Sequence, residues 1–274
     1  MTEHGNGTTA AVEPAAVTAL FTTRTRPRAP LISFLTPLLA PLGAVIVLGV
    51  CAHAMSPVDG ILQRSVAAVF VLLMSWWCAK AAPLQAFPAL ELCILGGCLL
   101  ASGIAMWVVV RDLSALLLML GASLLGIAAV RALEQLVWVA PVLAAAAAMD
   151  VHSFSTGPTS TLLESGSRVE RVTSVQPEPE LIALIRLMLQ LPIPDGTWLF
   201  GAVDVAAIAL LCAAAHRFGL PVRRSAIAVG FAASAVIMLG RPAPVLPAIC
   251  AAFAVVHVRP MMTQLGHAAR RLRV

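Results

Sequence analysis

Two aspartates lie within stretches that otherwise have the composition of membrane-spanning helices. Asp150 follows the apolar run 137–149, and Asp204 lies inside the apolar run 198–215. An ionisable side chain at membrane depth is energetically costly and is retained mainly where it has a function. Two carboxyl groups in one sheltered site can share a proton, so that one is a base while the other donates. The pair is therefore a candidate for the acid–base chemistry of aspartyl proteolysis.

Each aspartate also has a structural interpretation. Asp150 could cap a helix end at the membrane interface, facing water beside His152, Ser153 and Ser155. Asp204 could hydrogen-bond inside a helical bundle or pair with an arginine. The residue types alone leave the structural and the catalytic interpretations open.

The composition predicts an all-α, polytopic transmembrane helical bundle. Apolar residues make up 60% of the chain, charged residues 11%, and the mean hydropathy is +0.93. A soluble core does not require so apolar a chain. At about 20 residues per span, the apolar runs predict eight helices, near residues 31–53, 65–82, 88–110, 113–130, 134–156, 198–216, 224–240 and 243–258.

The basic residues predict the topology, because Lys and Arg in short loops and flanks stay in the cytoplasm. One side of the membrane would collect twelve of them: Arg24, Arg26, Arg28, Lys80, Arg131, Arg217, Arg223, Arg224, Arg259, Arg270, Arg271 and Arg273. Both termini are then cytoplasmic, and the formal net charge of +5 follows from topology. These residues lie beside helix ends without interleaved aromatics, so no nucleic-acid partner is expected.

The predicted helices divide the chain into four parts. These are a disordered cytoplasmic tail (1–30), a transmembrane scaffold (31–132), a half that carries both aspartates (133–258) and a basic cytoplasmic tail (259–274). Within the third part, residues 157–196 form one long loop, which starts at Gly157-Pro158. Its amphipathic segment 180–191 is too short to span and is expected at the membrane interface beside the site.

The order of three motifs resembles the intramembrane aspartyl proteases, the presenilins and signal peptide peptidases. Asp150 precedes Gly157-Pro158, and then come Gly201-Ala202-Val203-Asp204 and Pro244-Val245-Leu246-Pro247. In that family the second aspartate closes a Gly-x-Gly-Asp motif, and a Pro-Ala-Leu motif lies against the site. The resemblance covers roughly Asp150 to His257 and fits a divergent, bacterial-type member in the inner or plasma membrane.

The resemblance implies a site, a substrate class and a helix count. The catalytic residues would be Asp150 and Asp204. The substrate would contact Gly201, Pro244, Val245, Leu246 and Pro247. The substrates would be transmembrane-helix proteins or peptides, reached within the lipid bilayer, and no cofactor or metal is implied. The family normally has nine helices, so the count of eight leaves room for one more.

Three residues depart from the family pattern. Met149 stands where the family generally has Tyr, Val203 replaces the second glycine, and Val245 replaces the alanine of Pro-Ala-Leu. The Val203 change matters most, because glycine allows backbones to approach closely whereas a β-branched residue fills that space.

Other chemistries lack their own motifs. None of the six cysteines forms a CxxC pair, no HExxH or nucleotide-binding fingerprint occurs, and no metal is therefore expected. Gly121-Ala122-Ser123 lacks the second glycine expected around a serine nucleophile. One alternative remains: a non-catalytic relative or a proton-coupled carrier that uses the same two acids.

Overall fold

The computed structural model describes residues 60–106, 111–156, 188–190, 199–239 and 243–271. These residues are almost entirely helical. Several predictions on other parts of the chain lie outside the described residues, namely those on the N-terminal tail, the helix at 31–53 and most of the loop 157–196.

Eight α-helices and one small hairpin make up the described residues. The helices are α1 (Gly60–Ala81), α2 (Ala89–Met106), α3 (Arg111–Ala129), α4 (Val139–Ser155), α5 (Ala202–Arg217), α6 (Val222–Met238), α7 (Leu246–Val256) and α8 (Val258–Arg271). The strands are β1 (Met188–Gln190) and β2 (Leu199–Gly201). Short 3₁₀ turns extend α1 and α3 at their ends and precede α4.

Four helical stretches are long and apolar enough to cross a membrane: Arg64–Ala86, Ala89–Met106, Leu113–Ala132 and Leu136–Ser155. They match four of the predicted helices, which confirms the prediction of a membrane helical bundle in coarse form. In contrast, α5, α6 and α7 have only 16, 17 and 11 residues. The predicted count of eight to nine spanning helices is therefore not confirmed.

Small residues allow α2 and α3 to approach closely. A Cβ at Gly121 would lie 2.7 Å from the carbonyl oxygen of Gly96, so neither position has room for a larger side chain. Ser114 on α3 donates a 2.7 Å hydrogen bond to the carbonyl oxygen of Gly103 on α2. This is the small-residue and hydroxyl packing by which helices associate in lipid.

Helix α5 is the centre of the bundle. It packs against α1, α3 and α6, and its residues Val205, Ile208 and Leu211 are fully buried. Gly126 on α3 lies so close to α5 that a Cβ there would overlap the carbonyl oxygen of Ala206. The N-terminal turn of α5, which carries Asp204, is thus held by a tightly packed core.

Buried hydroxyl groups connect α6 to its neighbours. Ser234 donates a 2.9 Å hydrogen bond to the carbonyl oxygen of Ala68 on α1. Ser225 is hydrogen-bonded to Nε2 of His257, at the break between α7 and α8, with a separation of 2.7 Å. Both Ser225 and His257 are buried, so this pair links the start of α6 to the end of α7.

The start of the Asp204 helix differs from the prediction. Residues 198–201 were expected to be helical, but 199–201 form β2, which pairs antiparallel with β1 in the register Met188 to Gly201. Helix α5 therefore begins at Ala202. The strand β1 also falls in the amphipathic segment 180–191, so its residues 188–190 are extended. Backbone pairing with β2 satisfies their amides and carbonyls.

The C-terminal helices also differ in their limits. The predicted helix 243–258 is shorter, since α7 spans only Leu246–Val256. The basic segment 259–274 was expected to be a tail, whereas α8 is helical through Arg271. Its sequence places apolar and basic residues on different faces, a pattern typical of helices that lie in a membrane interface.

Candidate active site

Asp150 lies in the last turns of α4, where its carboxyl group faces the start of α7. Its Oδ2 accepts a 3.0 Å hydrogen bond from the backbone amide of Leu246. The backbone amide of Val245 also interacts with this carboxyl group. Two residues of the Pro-Val-Leu-Pro segment thus direct their amides at Asp150, although about a hundred residues separate them along the chain.

The beginning of α7 explains why these amides are free to bind a carboxyl group. The first amides of an α-helix have no partner within the helix. Val245 is the N-cap of α7, and Pro247 in its first turn has no N–H. The Leu246 amide is therefore a donor without a helical acceptor, in a residue that is 4% exposed. A carboxyl group is a favourable partner at this positive end of the helix dipole.

Asp204 is the third residue of α5, and its carboxyl group turns back to the residue before the helix. Its Oδ2 accepts a 2.9 Å hydrogen bond from the backbone amide of Gly201. Gly201 is extended, with φ −70° and ψ 145°, because it ends strand β2. A Cβ at Gly201 would lie 3.1 Å from Oδ2 of Asp204. The absence of a side chain at Gly201 therefore leaves room for the carboxyl group.

The two aspartates lie within range of a direct electrostatic interaction. Helix α7 packs against both α4 and α5, so the helix that caps Asp150 also contacts the helix that carries Asp204. Both aspartates are partly buried. The site is therefore a pair of carboxyl groups from two helices, beside the N-terminus of a third.

No family model, curated protein or solved structure matches this chain.

The predicted site residues differ in whether they donate a hydrogen bond to the carboxyl pair. Gly201, Val245 and Leu246 each direct a backbone amide at one of the carboxyl groups. Pro244 and Pro247 flank the donors, and as prolines they have no amide proton to give. They therefore donate nothing to the carboxyl pair, and they constrain the chain around Val245 and Leu246.

Met149 and Val203 are the residues nearest the aspartates that depart from the family pattern. Their side chains point away from the site. Val203, immediately before Asp204, is 68% exposed, and Met149, immediately before Asp150, is 73% exposed. Consecutive residues of a helix face different directions, so an inward aspartate leaves its neighbour on the outer surface. The Val203 side chain therefore does not occupy the space beside the carboxyl pair, contrary to the expectation from a β-branched residue at that position.

Cys250 is a neighbour of the site that the sequence did not reveal. Cys250 is buried, and it interacts electrostatically with Asp150. It lies four residues after Leu246 and hence on the same face of α7. That spacing is the signal that could have placed it near Asp150.

Metal ligands are not grouped in the part of the chain that the structure describes: no cluster of three or more His, Cys, Asp or Glu residues occurs there. His152, the histidine nearest Asp150 in sequence, has its Nδ1 3.1 Å from the hydroxyl of Thr156. This contact belongs to the end of α4.

Proposed function

We propose that this chain is an intramembrane aspartyl protease that hydrolyses peptide bonds within transmembrane helices. The observation that carries the proposal is the interaction between Asp150 and Asp204, which come from different helices. Interacting like charges disfavour double ionisation, and we infer that the pair holds one proton between its two members. That protonation state is the one aspartyl proteolysis requires.

In the proposed catalytic cycle, one carboxyl group starts ionised and the other starts protonated. The ionised carboxylate removes a proton from water, and the oxygen attacks the carbonyl carbon of the peptide bond while the protonated carboxyl donates to the carbonyl oxygen. As the carbon–nitrogen bond of the resulting gem-diol breaks, one of its hydroxyl groups returns a proton to the carboxylate that is then ionised, and the other, protonated carboxyl group gives its proton to the departing amine. The products are a carboxylic acid and an amine, and one water is consumed.

Backbone hydrogen bonds hold the two carboxyl groups ready for this chemistry. The Gly201 amide binds Oδ2 of Asp204, and the Leu246 amide binds Oδ2 of Asp150. Fixed donors limit the rotation of both carboxyl groups, which keeps the reacting oxygens in position. Each donor amide lies at the start of a helix, so the backbone there sets the orientation of the carboxyl group that it binds.

A helical substrate must expose its backbone before it can be cut, because its peptide bonds are otherwise hydrogen-bonded within the helix. An extended substrate segment can bind by adding a strand to existing backbone donors and acceptors. The hairpin of β1 and β2 ends at Gly201, three residues before Asp204. Strand β2 therefore offers extended backbone that leads to Asp204, and the segment from Pro244 to Pro247 lies beside Asp150.

The order of the motifs supports this assignment, since it resembles that of presenilins and signal peptide peptidases. The four apolar stretches that can cross a membrane are consistent with a site inside the bilayer. Cytoplasmic termini and a location in a bacterial inner membrane are part of the proposal. The departure at Val203 does not weigh against it, because that side chain is exposed.

Cleavage of a single-pass substrate tests the proposal. The full-length protein in liposomes would be incubated with a model transmembrane peptide, and the products would be located by mass spectrometry. We expect a cut inside the apolar segment, loss of activity by a factor of about 10² to 10⁴ in both Asp150→Asn and Asp204→Asn, and inhibition by a transition-state analogue. The matched control is Glu91→Gln, which changes an exposed acid on α2 and should leave the rate unchanged.

Other outcomes would favour the carrier instead. A carrier does not need both acids within reach of one water, so a single substitution could preserve its transport. If folded protein cuts none of several substrates while it moves protons across the liposome membrane, the protease assignment is wrong. Loss of cleavage in only one aspartate variant would also contradict a mechanism that uses both carboxyl groups.

A further inference from the structure

A cleft with a basic lining lies where the ends of three helices meet, away from the aspartate pair. Its volume is about 190 Å³, and α1, α5 and α6 contribute its walls. These three helices pack against one another. The lining residues, which we call the basic cleft, are Trp76, Ala79, Lys80, His216, Val222 and Arg223.

Among the described residues, no carboxylate neutralises the charge of the basic cleft. Lys80 and Arg223 are exposed, and no acidic residue is among the lining residues. In the part of the chain that the structure describes, neither cation forms an ion pair with a carboxylate. His216 adds a ring that can donate a hydrogen bond. The cleft therefore presents two positive charges and a further donor to a ligand.

Two nearby arginines donate hydrogen bonds to backbone carbonyl groups within the protein. Arg131 donates to the carbonyl oxygens of Gln85 and Ala86, the shortest contact being 2.9 Å. Arg217 donates to the carbonyl oxygen of Val130 at 3.2 Å. These two guanidinium groups cap helix ends within the protein. Within the described ranges, neither Lys80 nor Arg223 caps a helix end in this way.

The basic cleft lies at the end of a predicted membrane span. Trp76 and Lys80 belong to the last two turns of α1, within the apolar stretch Arg64–Ala86. The Lys80 ammonium lies 5.3 Å from the centre of the Trp76 ring, and Trp76 is 38% exposed. Tryptophan and lysine at the end of a span are typical of the headgroup level of a bilayer. The cleft is therefore expected at the headgroup level, where lipid phosphates lie.

We propose that the basic cleft binds the phosphate of an anionic phospholipid headgroup. Lys80 and Arg223 would bind the phosphate oxygens, and the N-terminal end of α6, where Arg223 lies in the first turn, favours an anion. Basic pockets between transmembrane helices are suited to such headgroups. The apolar side chains of Trp76 and Val222 favour a lipid over free phosphate, since they extend the binding surface toward the acyl chains.

Lipid retention tests the proposal. The full-length protein in detergent would be titrated with phosphatidylglycerol or with phosphatidylcholine of the same chains, and bound lipid would be counted by native mass spectrometry. At about one kilocalorie per basic residue, Lys80→Gln and Arg223→Gln should each weaken phosphatidylglycerol binding about fivefold, and the double variant about thirtyfold. The control Arg224→Gln removes an adjacent exposed charge outside the cleft and should leave binding unchanged.

Three results would overturn the proposal. Equal binding of phosphatidylcholine and phosphatidylglycerol would remove the role of the anion. An equal loss in Arg224→Gln would assign the effect to general surface charge. A third arm titrates inorganic phosphate alone: if it binds as tightly as phosphatidylglycerol and displaces it, the ligand is free phosphate. All the substituted side chains are exposed, so circular dichroism should show the same helix content in each variant.

Discussion

The backbone amide of Leu246 donates a 3.0 Å hydrogen bond to Oδ2 of Asp150. This contact joins the last turns of α4 to the first turn of α7. It satisfies an amide that α7 itself cannot satisfy, and it fixes the carboxyl group that is proposed to act in catalysis. The stability of the fold and the proposed catalysis therefore depend on the same bond, and substitutions of Asp150 can separate the two.

Asp150→Asn and Asp150→Ala should differ in stability although both lose activity. Asparagine retains a side-chain oxygen that can accept the Leu246 hydrogen bond, whereas alanine leaves a sheltered amide without a partner. We expect the alanine variant to be less stable than the asparagine variant by about 1–3 kcal/mol. Denaturant unfolding in detergent, followed by circular dichroism, measures the difference. Equal stabilities would show that water or another group satisfies the Leu246 amide.

Gly201→Ala should reduce cleavage without unfolding the protein. The new Cβ would lie 3.1 Å from Oδ2 of Asp204, so the carboxyl group must move by a few tenths of an ångström. A displaced general acid or base lowers the rate, by about 10²-fold where the reacting geometry is lost. The cleavage rate and the unfolding midpoint would be measured together.

Gly97→Ala is the matched control for the Gly201 substitution. Nothing lies within 4 Å of a Cβ at Gly97 on α2. Alanine in a helix is favoured over glycine by about 0.5–1 kcal/mol, so this variant should be active and at least as stable as the wild type. Unchanged cleavage in Gly201→Ala would mean that the Asp204 carboxyl group has other positions from which it can react.

Hydropathy alone was sufficient to predict the long helices. The predicted run 88–110 corresponds to α2 (Ala89–Met106), and 113–130 corresponds to α3 (Arg111–Ala129). Such segments are recognisable because the whole surface of a helix in lipid can be apolar. The predicted limits agree with the observed ones to within a few residues. Residues 107–110 lie outside the described part of the chain.

The environment of the aspartates was only partly predictable. The order of motifs suggested that the Pro-Val-Leu-Pro segment lies beside the site, but it did not identify the Leu246 amide as the donor to Asp150. The strand at 199–201 was missed because its apolar residues continue directly into α5, and its partner 188–190 lies in the amphipathic segment 180–191, which was expected at the membrane interface. A three-residue strand has little signature in a short apolar run.

Gly126→Ala should affect the site from a distance. Its Cβ would overlap the carbonyl oxygen of Ala206, so α3 and α5 must separate to admit it. Overpacking of this kind costs about 1–3 kcal/mol. Ala206 lies two residues after Asp204, so we expect cleavage to decrease as well. A variant with wild-type stability would show that the two helices can move apart at little cost.

Val203→Gly tests whether the departure from the Gly-x-Gly-Asp pattern impairs the proposed activity. The Val203 side chain is 68% exposed in the first turn of α5, and its removal opens no space beside Asp204. Glycine should therefore leave the cleavage rate nearly unchanged while it destabilises the helix by about 0.5–1 kcal/mol. Rates measured on one transmembrane substrate, with unfolding midpoints for the same preparations, check both expectations. A rate increase of about tenfold or more, equivalent to about 1.4 kcal/mol in the barrier, would show instead that Val203 obstructs the approach of the substrate.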